Sequence, residues 1–286
     1  MAYWQWGNPE SDHVVVCVHG LSRQGRDFDV LARALSGPAG HLTGAVRIVC
    51  PDVAGRGESE WLKDPMGYQV PAYAADMHAL IDQLHNEASI AQLDWVGTSM
   101  GGLIGMVVCG APGIALPTPV RKLVLNDVGP ALQWVAIARI GEYLGKAGQF
   151  STVEEGAKAM RVISSGFGPH TDEEWLALSR PMLRPVAAED NRLRLHYDPD
   201  IAIAFRQSSE VSTAQGEARL WELYDNITAE TLLLRGANSD LLSPQTAFDM
   251  TRRGPRARLV EFEGVGHAPT LVASDQVTAV VDFLLA

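Results

Sequence analysis

The chain has 286 residues, 47% of them hydrophobic and 20% charged, with 34 acidic side chains against 23 basic ones and a formal charge of -11. That composition excludes a disordered or collagen-like chain and supplies a sizeable core, as one large α/β domain or two small ones. The acidic excess argues against a nucleic-acid surface, which depends on Lys and Arg to neutralise phosphates, and against attraction to an anionic membrane.

The first seven residues hold no basic region followed by an apolar stretch, so no secretory signal is read and a soluble cytoplasmic protein is expected. Residues 3–6 read as an opening antiparallel strand. Residues 14–18, Val-Val-Val-Cys-Val, form an unbroken apolar run of strand length, which suits a strand buried on both faces. A similar run at 46–50 ends at Pro51-Asp52. A helical pattern at 72–85, a strand at 93–96, an apolar helix at 101–109 and a strand at 122–125 follow. Strand, helix, strand at this spacing predicts a mainly parallel sheet with helices on both faces. The alternation then stops. From about 128 to 226 there are helical patterns, near 132–144, 152–163 and 173–183, without a convincing core strand. Strands resume at 231–234 and 259–262. The organisation read from this is a core of residues 1–127 and 227–286 with a helical cap, 128–226, inserted between two sheet strands. The most apolar region, 103–116, is broken by Gly and Pro and too short to span a bilayer. The three cysteines, Cys17, Cys50 and Cys109, have no paired or metal-ligand spacing and lie in apolar runs, so they read as reduced core thiols.

One segment carries chemistry. In Trp95-Val96-Gly97-Thr98-Ser99-Met100-Gly101-Gly102, a strand ends, Gly-x-Ser-x-Gly follows, and an apolar helix begins at once. A serine in such a tight turn projects its hydroxyl above the sheet, and the glycines leave room that a Cβ would fill. The helix behind it presents free N–H groups and a partial positive charge where an oxyanion would form. A dinucleotide-binding loop fits poorly, because the G-x-G-x-x-G spacing is missing. The loop His19-Gly20-Leu21-Ser22-Arg23 leaves the 14–18 strand at the same sheet edge, so the N–H groups of Leu21 and Met100 are candidates to hold one oxygen together. His19 itself reads as a loop-fixing residue, and Arg23 as a solvated one.

A serine hydroxyl needs an adjacent base. His13, His41, His78, His85, His170 and His196 fall in predicted helices, surface loops or the cap, whereas His267 sits in a glycine-rich loop, Gly264-Val265-Gly266-His267, after the last strand. His267 is therefore the expected base. Asp240, just past the 231–234 strand, is the preferred acid to orient it; Asp127, after the 122–125 strand, is the alternative. Trp134, Phe167, Trp175, Tyr197, Phe205 and Trp221 are candidates to line a pocket beneath the cap.

Taken together, His19-Gly20, the run Pro51-Asp52-x-x-Gly55-x-Gly57-x-Ser59, the elbow at Ser99, Asp240 and His267 resemble the α/β-hydrolase superfamily over nearly the whole chain, in its Ser, Asp, His order. The resemblance implies an eight-stranded, mainly parallel sheet with a helical cap after the sixth strand. It also implies Ser99 as nucleophile, Asp240 as acid, His267 as base, and Leu21 and Met100 as oxyanion donors. The loop of Asp52, Gly55, Arg56, Gly57 and Ser59 would be structural. Asp240 lies four residues after Gly236, where many members have three, and this keeps Asp127 open. A serine at 99 sets the chain apart from the dehalogenase and epoxide-hydrolase branches, which attack with an aspartate. The implied activity is hydrolysis of carboxylic esters of small to medium apolar molecules, with no metal or organic cofactor. Carbon–carbon bond hydrolysis, lactonase or perhydrolase activity, and a non-catalytic ligand-binding relative are the alternatives.

Overall fold

The computed structural model describes residues 1–37, 46–113, 115–146, 148–186 and 192–286. The chain opens with β1 (Tyr3–Gly7), β2 (His13–Val18), α1 (Asp29–Ser36), β3 (Arg47–Pro51), α2 (Val70–Glu87), β4 (Gln92–Thr98), α3 (Met100–Gly110) and β5 (Val120–Asn126). The intervening segment contributes α4 (Trp134–Tyr143), β6 (Gln149–Phe150), α5 (Val153–Ile163), α6 (Asp172–Ser179), β7 (Leu183–Pro185), β8 (Leu193–Leu195), α7 (Ile201–Phe205) and α8 (Glu210–Asp225). The chain closes with β9 (Glu230–Gly236), α9 (Pro244–Met250), β10 (Arg258–Phe262) and α10 (Ser274–Leu285).

The main sheet has the order β1-β3-β2-β4-β5-β9-β10, and every neighbouring pair is parallel except β1 with β3. Among the described residues it has seven strands, not eight, and the insertion follows the fifth strand of the chain, not the sixth. The reason is at the N-terminus, where a single antiparallel strand precedes the buried β2. All six residues of β2 are buried. Successive side chains of a strand point to opposite faces, and here each face has its own core. Val14, Val16 and Val18 pack with α2 and α3 through Met77, Ile81 and Ile104. Val15 and Cys17 pack with α1 and α10 through Leu31, Leu35 and Phe283. Each fully buried Val contributes roughly 1.5–3 kcal/mol relative to exposure, so an unbroken apolar run is what a two-faced strand requires. Cys17 and Cys50 are free and buried; Cys109 is free and partly buried.

Two features of the inserted segment differ from the helical reading. It carries a three-stranded antiparallel sheet, β6-β8-β7, of strands only two or three residues long. Such short pieces show no alternation. The pattern expected at 173–183 also ends as a helix at Ser179. The last helix before β9, α8, packs on α3: Tyr224 joins the same core as Ile104, and Asn226 Nδ2 donates to Gly110 O at 3.3 Å. His13, expected outside the strands, begins β2 and is buried against Asp94, with Nε2 to Oδ2 at 2.6 Å. His41 lies outside the described residues. Among the described residues no helix is long and apolar enough to cross a membrane.

The strand order decides where a site can form. From β2 the sheet grows one way through β3 and the other way through β4. The loops leaving β2 and β4 therefore diverge and leave a crevice at the carboxyl edge. The Gly20-Leu21 loop follows β2 and Ser99 follows β4, so both border that crevice.

Candidate active site

Ser99 sits between β4 and α3 with φ +51° and ψ -114°, a conformation L residues rarely adopt. The surrounding backbone holds it there. Ser99 N donates to Asn126 O at 2.9 Å, and Ser99 O accepts from Gly102 N at 2.9 Å. The turn is so tight that a Cβ on Gly101 would strike the Val18 carbonyl oxygen, and one on Gly97 would strike the Gly101 carbonyl. This close approach is why the motif needs both glycines. Met100 is the first residue of α3, so its N–H has no carbonyl one turn back to bond.

Ser99 Oγ lies 2.9 Å from His267 Nε2, and His267 Nδ1 lies 2.7 Å from Asp127 Oδ2. A carboxylate only accepts, so Nδ1 carries the imidazole proton and Nε2 is left to accept the serine hydroxyl. Asp127 is fully buried, with φ +55°. Three donors converge on it: His267, Ser239 Oγ at 2.7 Å to Oδ2, and Gly236 N at 2.9 Å to Oδ1. Buried charges persist only when satisfied in this way.

The preferred acid of the sequence reading is not at the imidazole. Asp240 is about two-fifths exposed and forms a bidentate pair with Arg139 of α4, at 2.7 and 3.0 Å. The cause is local. The turn after β9, with Ser239 N donating to Gly236 O at 2.9 Å, sends the Ser239 hydroxyl inward to Asp127 and Asp240 outward to the inserted segment. The strand order also favours Asp127, because β5 adjoins β4 whereas β9 lies one strand further away.

Leu21 and Met100 are held by a residue whose part the sequence reading missed. Arg56 is fully buried; its Nε donates to Leu21 O at 2.8 Å, its Nη1 to Tyr73 OH at 2.9 Å, and its Nη2 contacts Met100 Sδ at 3.5 Å. Its only sequence signal is its place in the loop after β3, which reads as structural. Asn126 was missed likewise. Its Nδ2 donates to Thr98 Oγ1 at 3.0 Å and to Pro269 O at 2.8 Å, tying together the loops that carry Ser99, Asp127 and His267.

His19 is buried and fixes its loop, with Nδ1–H donating to Gly20 O at 2.7 Å and Nε2 accepting from Val53 N at 3.0 Å. Burial depresses its pKa to about 3, with the charges of Arg56 and Arg23 adding to the effect and the Gly20 bond opposing it. The imidazole is therefore neutral, which suits both bonds. Arg23, expected in solvent, is paired with Asp27 Oδ1 at 2.6 Å and donates to Leu178 O at 3.1 Å.

Ser99 and His267 open into a cavity of about 330 Å³ between the sheet edge and the inserted segment. Of the six aromatics considered for it, Phe167 and Tyr197 line it; Trp175 stacks behind Phe167, and Trp134, Phe205 and Trp221 lie elsewhere. The inserted segment is fastened to the His267 loop, with Gly266 N donating to Gly166 O at 2.6 Å and His170 Nε2 bonded to Thr270 Oγ1 at 2.8 Å. Among the described residues no cluster of three or more His, Cys, Asp or Glu forms a metal site.

The model of the alpha/beta hydrolase family matches residues 15–282. The chain belongs to the α/β-hydrolase family. It is 49% identical over 284 residues, 99% of its length and 92% of the relative's, to a 3-hydroxybutyrate-oligomer hydrolase of Cupriavidus necator. It is 25% identical over 288 residues, 98% of this chain and 83% of the relative, to an esterase of Mycobacterium tuberculosis. Its fold matches a solved α/β hydrolase of Novosphingobium aromaticivorans with a TM-score of 0.81 at 32% identity, over 99% of this chain and 92% of that one. The protein is a hydrolase, and the relatives support ester hydrolysis as its general chemistry.

Proposed function

We propose that this α/β hydrolase is a serine esterase that cleaves short esters of hydroxy acids, of which 3-hydroxybutyrate oligomers are the model substrate, through an acyl-enzyme on Ser99. The observation that carries the reading is the continuous hydrogen-bonded chain Ser99–His267–Asp127, at 2.9 and 2.7 Å, opening into one cavity. The substrate class rests on the relative that is 49% identical over 99% of the chain.

In this mechanism Ser99 Oγ attacks the ester carbonyl while His267 Nε2 takes its proton. Asp127 holds the imidazole in the required tautomer and stabilises the imidazolium. The oxyanion rests on the N–H groups of Leu21 and Met100, beside the positive end of α3. One such donor is worth ~2.7–4 kcal/mol in comparable sites. His267 then protonates the leaving alcohol, and a water repeats the sequence to release the acid. The inserted segment acts as a cap that roofs the pocket, and the domain division that follows is a core of 1–127 and 227–286 around it. Because α8 packs on α3, the part that covers the cavity ends before α8.

The test compares wild type with Ser99→Ala on p-nitrophenyl acetate and on a 3-hydroxybutyrate trimer. Turnover of both by wild type and a drop to background in the variant are expected, together with labelling of wild type alone by a fluorophosphonate. Equal rates for the two proteins would overturn the reading.

A further inference from the structure

The charged groups around the cavity are unevenly matched. Its wall includes Arg23, Asp27, Arg139 and Lys146. Arg23 is neutralised by Asp27, with Nε and Nη2 bonded to the two carboxylate oxygens at 2.7 and 2.6 Å. Arg139 is neutralised by Asp240 and also contacts the Tyr143 hydroxyl. His19 is neutral through burial. Lys146 is exposed, and among the described residues no carboxylate lies within ion-pair distance of it. Among the described residues, the cavity wall of this protein of formal charge -11 thus carries one cation without an ion-pair partner. Low-dielectric walls around a charge of one sign concentrate counter-ions in a cleft.

The placement of Lys146 is built into the fold. Arg139, Tyr143 and Lys146 are spaced four and three residues apart, so they follow one face of α4 into the turn after it. The turn is fixed by Lys146 N donating to Tyr143 O at 3.0 Å and by Gly145, whose φ of +78° suits glycine and whose N–H donates to Tyr197 OH at 3.1 Å. Tyr143 and Tyr197 both line the cavity beside it.

We propose that Lys146 is a carboxylate-binding subsite that receives the free acid end of the substrate, so that the enzyme shortens acidic oligoesters from their carboxyl terminus. The proposal rests on the serine-esterase reading above and deepens it. In a linear oligomer of a hydroxy acid, the free carboxylate always lies on the alcohol side of any ester bond. Holding it at Lys146 therefore puts it in the leaving group. Ser99 Oγ bonds to the carbonyl carbon, the bond from that carbon to the terminal unit's oxygen breaks, and the terminal unit departs as its alcohol with the proton from His267. Water then cleaves the acyl-enzyme, giving a chain one step shorter with a new carboxylate. Ser99 and Lys146 line the same cavity of about 330 Å³, at the small end of ligand pockets, which favours a short oligomer and, in this proposal, its terminal bond.

The experiment measures kcat/KM for a 3-hydroxybutyrate trimer as the free acid and as its methyl ester, with wild type, Lys146→Gln and Lys146→Arg. A charge-assisted hydrogen bond predicts that wild type prefers the free acid by about tenfold, mostly in KM, and that this preference shrinks in 1 M NaCl. The first product from the acid is a single hydroxy-acid unit. Lys146→Gln is expected to bring the ratio close to one, and Lys146→Arg to restore it. A ratio near one in wild type, or an unchanged ratio in Lys146→Gln, would overturn the subsite while leaving the esterase reading intact. If wild type cleaves p-nitrophenyl acetate but neither trimer, the hydroxy-acid substrate class fails and the subsite fails with it.

Discussion

Replacing Asp127 by Asn changes one atom and reverses the logic of the hydrogen-bond chain. Asp127 Oδ1 accepts from Gly236 N and Oδ2 accepts from His267 Nδ1 and Ser239 Oγ. In the variant the amide oxygen remains the acceptor for Gly236, which leaves an NH₂ donor facing the imidazole. His267 then carries its proton on Nε2 and no longer accepts from Ser99, 2.9 Å away. Loss of the correct tautomer costs about 10⁴ in kcat, which corresponds to roughly 5.4 kcal/mol of transition-state stabilisation. Asp240→Asn is the matched comparison. Its pair with Arg139 has both side chains about two-fifths exposed, and exposed pairs contribute at most about 1 kcal/mol, or about fivefold if all of it reached the transition state. Steady-state hydrolysis of p-nitrophenyl acetate gives kcat for both variants, and circular dichroism shows that both remain folded. A larger loss in Asp240→Asn than in Asp127→Asn would refute the assignment of the acid.

Three other outcomes follow from the contacts around this chain. Arg56→Met frees the Leu21 carbonyl and the Met100 side chain that the guanidinium now holds; kcat on p-nitrophenyl acetate should fall about 10²-fold with less change in KM, as for a loosened oxyanion donor, and an unchanged kcat in the folded variant would contradict this role. Asn126→Ala removes bonds to Thr98 and Pro269. At about 1 kcal/mol each, urea titration should show a loss of about 2 kcal/mol together with a kcat drop of about tenfold; a stability loss with full activity would make Asn126 purely structural. His19 titrates at about 3 in the fold against 6.5 in the unfolded chain. The unfolded state therefore binds the proton more readily, and the stability from keeping His19 neutral is complete above pH 6.5 and declines as pH falls toward 3, by about 1.4 kcal/mol per unit. His196, buried and lowered by that burial, acts in the same direction. In His19→Gln, where an amide can serve both Gly20 O and Val53 N, urea midpoints between pH 7 and 5 should fall less steeply than in wild type; identical slopes would contradict the argument.

What was legible in the chain is what short-range chemistry dictates. The run at 14–18 is apolar at every position because β2 has a core on each face, and the Gly97-x-Ser99-x-Gly101 spacing is required by backbone atoms that leave no room for a Cβ. His267 was found because a glycine-rich loop after the last strand can only lie at the edge that also holds Ser99. The strands of two and three residues in the inserted segment were not legible, because they are too short to establish a period. The acid depends on a different kind of information. Asp127 and Asp240 both follow a parallel strand, both fall between Ser99 and His267 in the chain, and both keep the family's order. What separates them is the lateral order of strands and the direction of one turn, in which neighbouring side chains, Ser239 and Asp240, point to opposite places. The unusual spacing from Gly236 was the one visible trace of that turn. The positive φ of Asp127 has no marker in composition, because an aspartate tolerates that conformation better than most residues do. The same turn that withholds Asp240 from the imidazole gives it to Arg139, so the fold uses the displaced carboxylate to neutralise one cation of the cavity wall. With that cation and Arg23 both paired, Lys146 is, among the described residues, the cation of the wall without an ion-pair partner, which is what the proposed subsite requires.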